Sequence, residues 1–144
     1  MDKIYIIYWT QTGNTQSMAQ ALAEGVKGAG AEPELLEVSK ADVNLLKEAK
    51  AFALGCPAMG AETLEESEME PFVEEVAKIC AGKKIALFGS YGWGDGEWMR
   101  EWTDRMIQAG AAVVNGEGCI CQEEPDQETL DALKQLGITL VEVA

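Results

Sequence analysis

Apolar runs rich in β-branched and aromatic residues alternate with segments of helical period along the chain, and that alternation leaves few folds open. Strand-like runs are predicted over residues 4–9, 34–39, 51–56 and 84–91. A fifth is assembled from 112–115 and 119–122, with a bulge expected at Gly116 and Gly118. Helical runs are predicted over residues 15–28, 71–79, 97–109 and 126–143, and Asp126 suits the N-cap of the last. Both faces of the strands are apolar, as a parallel sheet covered by helices on each side requires. The expectation is an α/β chain, doubly wound, with residues 1–144 forming one domain, since no linker, repeat or low-complexity tract divides them.

In such sheets a ligand sits outside the carboxyl ends of the strands, where the strand order reverses. The loops after the first, third and fourth strands are also the three oddest stretches of the chain. The first supplies Thr10, Gln11, Thr12, Gly13, Asn14 and Thr15 at the start of a helix, where free N–H groups and the helix dipole favour an anion. One cap residue would serve an ordinary helix start, and here there are four candidates. Phosphate held by neutral donors is the stronger reading. No lysine follows Gly13 as a Walker loop needs, no GxGxxG is present, and no acidic cluster ends the first strand as in a phospho-accepting receiver.

The loop after the third strand runs Pro57, Ala58, Met59, Gly60, Ala61, Glu62, and its methionine is divided between core filler and ligand contact. Glu62, Glu65, Glu66, Glu68 and Glu70 follow, and this acidic run reads as a solvated face. The third loop is Ser90, Tyr91, Gly92, Trp93, Gly94, Asp95, Gly96. Trp93, displayed among glycines at the ligand end, suits stacking on a flat ring, whereas Trp98 and Trp102 pack as an i, i+4 pair. A cradle for one phosphate beside an aromatic clamp fits a planar polycyclic monophosphate, and flavin mononucleotide (FMN) is the economical choice.

Composition closes other routes. There is no histidine, which removes Cys/His zinc sites and Ser-His or Cys-His catalysis, so neither a metal nor a catalytic residue is assigned. Cys56, Cys80, Cys119 and Cys121 are too few and too oddly spaced for a disulfide framework and read as reduced thiols, mostly buried. A net charge of −14 argues against nucleic acid or anionic membrane and favours basic protein faces. Met1-Asp2-Lys3 leads straight into a strand, leaving no signal peptide, and a cytoplasmic location is expected.

With these motifs in order and at these spacings, the chain resembles a flavodoxin of the short-chain kind found in clostridia and related anaerobes. The likeness rests on TQTGNT, GCPAMG with ETLEESEMEPF, ALFGSYGWGDGEWM and EEPD, and spans essentially the whole chain. It implies a five-stranded sheet in the order 2-1-3-4-5 and non-covalent FMN. The phosphate would lie on residues 10–15, Met59 on the inner flavin face and Trp93 on the outer, with Glu62 accepting from the pyrimidine N3–H. Backbone of Ser90, Tyr91, Gly92 and Gly94 to Gly96 would line the pyrimidine edge, and the Gly60 carbonyl would turn toward N5 in the neutral semiquinone. Ala61, Pro57 and Glu123 depart from residues common at these places in the family.

The implied role is that of a low-potential one-electron carrier, a monomer, replacing ferredoxin at the basic faces of its redox enzymes. The rival is an FMN-dependent NAD(P)H:quinone-type oxidoreductase. That enzyme needs an open flavin face and a cationic or polar nicotinamide pocket; Trp93 and the net charge argue against both. A regulatory module without cofactor is the second rival.

Overall fold

The structure, a computed structural model, describes residues 3–11, 13–59, 63–92, 94, 96–115 and 118–144. In chain order the elements are β1 (Lys3–Tyr8), α1 (Asn14–Gly28), β2 (Glu32–Glu37), β3 (Ala51–Gly55), α2 (Met69–Ala77), β4 (Lys84–Tyr91), α3 (Glu97–Gln108), β5 (Ala112–Val113), β6 (Cys119–Gln122) and α4 (Gln127–Val143). The strands lie in the order β2-β1-β3-β4-β5, and β6 also pairs with β4; every pairing is parallel. The fifth position is therefore shared. Ala112 and Val113 run beside the start of β4, and Cys119 to Gln122 beside its end. Gly118 between them has φ 88°, while Gly116 lies outside the described residues.

Side-chain alternation decides the layers. Ile4, Ile6 and Tyr8 of β1 point into a core with α1 and α4, joined by Ala51 and Ala53 of β3 and by Met18, Leu22 and Leu133. Ile7, Phe52 and Leu54 point the other way, onto Val73 and Val76 of α2 and onto Trp98 and Trp102 of α3. Trp98 and Trp102 are both buried, as their i, i+4 spacing predicts. The α1–α4 layer is unusually close. A Cβ at Gly25 would lie 1.9 Å from the Lys134 carbonyl oxygen, and one at Gly137 would lie 2.3 Å from that of Leu22.

Several boundaries differ from the sequence reading by two residues: β5 ends at Val113 where 115 was expected, α2 ends at Ala77 where 79 was expected, and β2 and the start of α2 are displaced. β2 starts at Glu32 and ends at Glu37, with Ser39 in a 3-10 turn, because Pro33 does not delay a strand at the sheet edge. α2 begins at Met69, because the Glu65 carboxylate accepts the Met69 N–H at 3.0 Å and starts the helix early.

Candidate cofactor site

The strand order reverses between β1 and β3, so the crevice predicted by this topology lies above their carboxyl ends. A cavity of about 220 Å³ occurs there, lined by Thr10, Gln11, Asn14, Thr15, Pro57, Ala58, Met59, Ser90, Tyr91, Gly92 and Glu123. Residues from all three singled-out loops thus meet at one place. Thr12, Gly60, Ala61, Glu62, Trp93 and Asp95 lie outside the described residues. Gly94 and Gly96 have φ 88° and 91°, the latter as N-cap of α3. Roomier hollows of about 320 and 440 Å³ sit at the amino ends of the strands, among Lys3, Glu48, Lys50 and Lys84. Neither has a cradle of helix-terminal donors, so donor chemistry rather than size identifies the site.

The first loop is built as an anion cradle. Gly13 caps α1 with φ 94°, a left-handed backbone that favours glycine, and nothing lies within 4 Å of where its Cβ would stand. No side chain caps α1 among the described residues. Thr10 Oγ1 accepts the Gly13 N–H at 3.1 Å, so this threonine shapes the turn instead of capping the helix. Thr15 is 1% exposed and its hydroxyl has no hydrogen-bond partner among the described residues. A buried, unpartnered donor at a helix N-terminus is what a missing phosphate oxygen would satisfy. The phosphate end of FMN fits these residues, and none of the described lining residues is a lysine or arginine.

The second loop is anchored at both ends. Met59 and Thr63 exchange backbone hydrogen bonds of 2.9 and 3.0 Å across its base. Glu65 is 6% exposed and accepts from the N–H groups of Ser67, Glu68 and Met69 and from the Ser67 hydroxyl. This corrects the reading of the acidic run as a solvated face: Glu66 and Glu68 are exposed, Glu70 pairs bidentately with Arg105 at 2.9 and 2.7 Å, and Glu65 is structural. Burial opposes ionisation of Glu65, but the four donors outweigh it and hold the carboxyl below its ordinary range. The stability these bonds supply is complete above the unfolded value of about 4.3 and drains away as pH falls through the lower folded one. Glu65→Gln is expected to destabilise the protein by about 1–3 kcal/mol. Protection of the Ser67, Glu68 and Met69 amides against exchange, taken relative to the unfolded rate at each pH, should fall below that range in the parent and be low throughout in the variant.

The third loop rests on α3. The Trp98 Nε1–H donates to the Cys56 carbonyl at 3.1 Å, and its ring meets Tyr91 at 5.6 Å between centroids, tilted by 51°. One tryptophan thereby ties the end of β3 to the start of the loop that follows β4. The Cys56 thiol beside it is pushed up to about 12 by burial, so it takes no part as a thiolate. The four cysteines are free, Cys56 and Cys80 buried and the other two partly so. Glu123 also lines the cavity, although it lies outside the three loops singled out from the sequence; its place in the EEPD loop, past the carboxyl end of β6, is the signal for it.

This geometry agrees with what the chain is similar to. The flavodoxin family profile matches residues 6–135. The chain is 46% identical to a flavodoxin of Clostridium beijerinckii, over 90% of this chain and 93% of that one. It is 45% identical to the flavodoxin of Megasphaera elsdenii, over 93% and 95% respectively. The solution structure of two-electron reduced M. elsdenii flavodoxin superimposes with a TM-score of 0.88 at 42% identity, covering 96% of this chain and 98% of that one. The chain belongs to the flavodoxin family, whose members bind FMN and carry electrons without turning over a substrate of their own.

Proposed function

We propose that this protein is a low-potential one-electron carrier that holds FMN non-covalently and works between the semiquinone and hydroquinone levels, in place of ferredoxin. The carrying observation is the buried Thr15 hydroxyl, unpartnered at the uncapped start of α1, in a cavity with no cation among its described lining residues. Neutral donors suffice for a phosphate at a helix N-terminus. They leave nothing to neutralise the negative charge that full reduction places on the ring, which disfavours the last electron and lowers that couple.

The Gly60 carbonyl would accept a hydrogen bond from the half-reduced ring, worth about 1 kcal/mol, or roughly 40 mV for one electron. Met59 and Trp93 would cover the two faces, and Glu62 with residues 90–96 would hold the pyrimidine edge. Partners are basic faces of redox enzymes that also use ferredoxin, met by a monomer of net charge −14 through brief electrostatic docking. No described helix is long and apolar enough to cross a membrane.

The test is electron delivery from the reduced, FMN-loaded protein to a basic acceptor such as cytochrome c, measured by stopped flow. The bimolecular rate should fall steeply as salt rises, and the oxidised protein should not oxidise NAD(P)H by itself. A salt-independent rate together with NAD(P)H turnover contradicts the carrier reading.

A further inference from the structure

Glu123 has φ 58° and is the one non-glycine residue with positive φ among those described. Glutamate gains nothing in the left-handed region, which glycine and asparagine tolerate better. The surroundings hold it there. Its N–H donates to the Tyr91 carbonyl at 2.7 Å, and its carbonyl accepts from the Cys121 thiol at 3.6 Å. One residue earlier, the Gln122 amide donates to the Gly92 carbonyl at 3.3 Å. Three residues later, Asp126 accepts from the Thr129 N–H at 2.8 Å and starts α4. A glycine would make this turn with less strain, so the backbone does not explain the glutamate.

Glu123 lines the cofactor cavity, and it is the one ionised side chain among the described lining residues, the rest being hydroxyl, amide or uncharged groups. Its carboxylate has no hydrogen-bond or ion-pair partner among the described residues. A cradle of neutral donors at a helix N-terminus binds phosphate without regard to what the phosphate carries. A carboxylate beside such a cradle lowers its affinity for any phosphate, so that a ligand must bring further contacts to bind tightly.

We propose that Glu123 is such a carboxylate: it opposes phosphate in the crevice, free or carried by a ligand, so that tight binding there depends on a stacked flavin ring contributing the remainder. The proposal rests on the FMN reading above. Because Glu123 is exposed, the repulsion is screened and modest, about three- to tenfold in affinity at low salt, and it fades at high salt.

The test compares parent apoprotein with Glu123→Gln, which keeps shape and φ and removes only the charge. FMN and riboflavin affinities are read by flavin fluorescence quenching at low and at high salt, and inorganic phosphate is titrated as competitor of FMN. In the variant, FMN should bind about three- to tenfold tighter and phosphate should compete at correspondingly lower concentration. Riboflavin affinity should stay within about twofold, and the FMN difference should shrink in high salt. Glu123→Asn, which tolerates the same φ, should shift FMN in the same direction. Unchanged FMN and phosphate binding overturns the proposal and leaves the FMN reading intact. Equal changes for FMN and riboflavin overturn it too, since they would place the carboxylate against ring or polyol. If neither flavin binds either protein, the FMN reading falls and this proposal with it.

Discussion

Gly137→Ala is expected to destabilise the protein by about 2–4 kcal/mol, although alanine is the better helix former by about 1 kcal/mol. The added methyl would stand 2.3 Å from the Leu22 carbonyl oxygen and 2.9 Å from the Val26 nitrogen, both backbone atoms that no side-chain rotation can move. The reciprocal change, Gly25→Ala, meets the Lys134 carbonyl oxygen at 1.9 Å and should be at least as harmful. Relief requires α1 and α4 to separate, which opens the core of Met18, Leu22, Leu133 and Leu140. Since α1 also starts at the phosphate cradle, its displacement should weaken FMN binding as well. Urea unfolding of the apoprotein measures the first effect; an unchanged midpoint would show that the two helices are not in backbone contact.

Thr15→Val is expected to move binding and stability in opposite directions. The hydroxyl is buried without a partner among the described residues, so the apoprotein bears the desolvation penalty of an unmade hydrogen bond, of order 1–3 kcal/mol. Replacing it by a methyl should leave the apoprotein as stable or more so. A charge-assisted hydrogen bond to phosphate is worth about 1.5–3 kcal/mol, so FMN affinity should fall about 10- to 100-fold. Riboflavin, which lacks the phosphate, should bind both proteins alike. Loss of apoprotein stability with unchanged FMN affinity would mean that Thr15 serves the fold and not the ligand.

Period and punctuation made most of the fold legible. β4 occupies residues 84–91 as its apolar run predicts, and α1, α3 and α4 fall within one residue of expectation at their starts. Elements set by long-range contacts were less readable. β2 was expected over residues 34–39, and the place of Pro33 in an edge strand cannot be seen in a local window. Glu65 looked like one acid among five, and only folding shows that four donors converge on it. Close approach at Gly25 and Gly137 is likewise a property of two residues 112 apart in sequence, on different helices.

The three site loops were legible because their chemistry is local: small polar residues before a helix, a Met-Gly turn, aromatics among glycines. The charge of the crevice was less so. Glu123 sits next to Tyr91 because β6 pairs with β4, and the break between β5 and β6 hides that pairing from the sequence.

The most direct test is an anaerobic dithionite titration of the FMN-loaded protein, followed in the visible. The account predicts that a yellow protein turns blue near one electron per flavin and then pale near two, as a stabilised neutral half-reduced state demands. A yellow protein that bleaches in one step, with no blue intermediate, would contradict it.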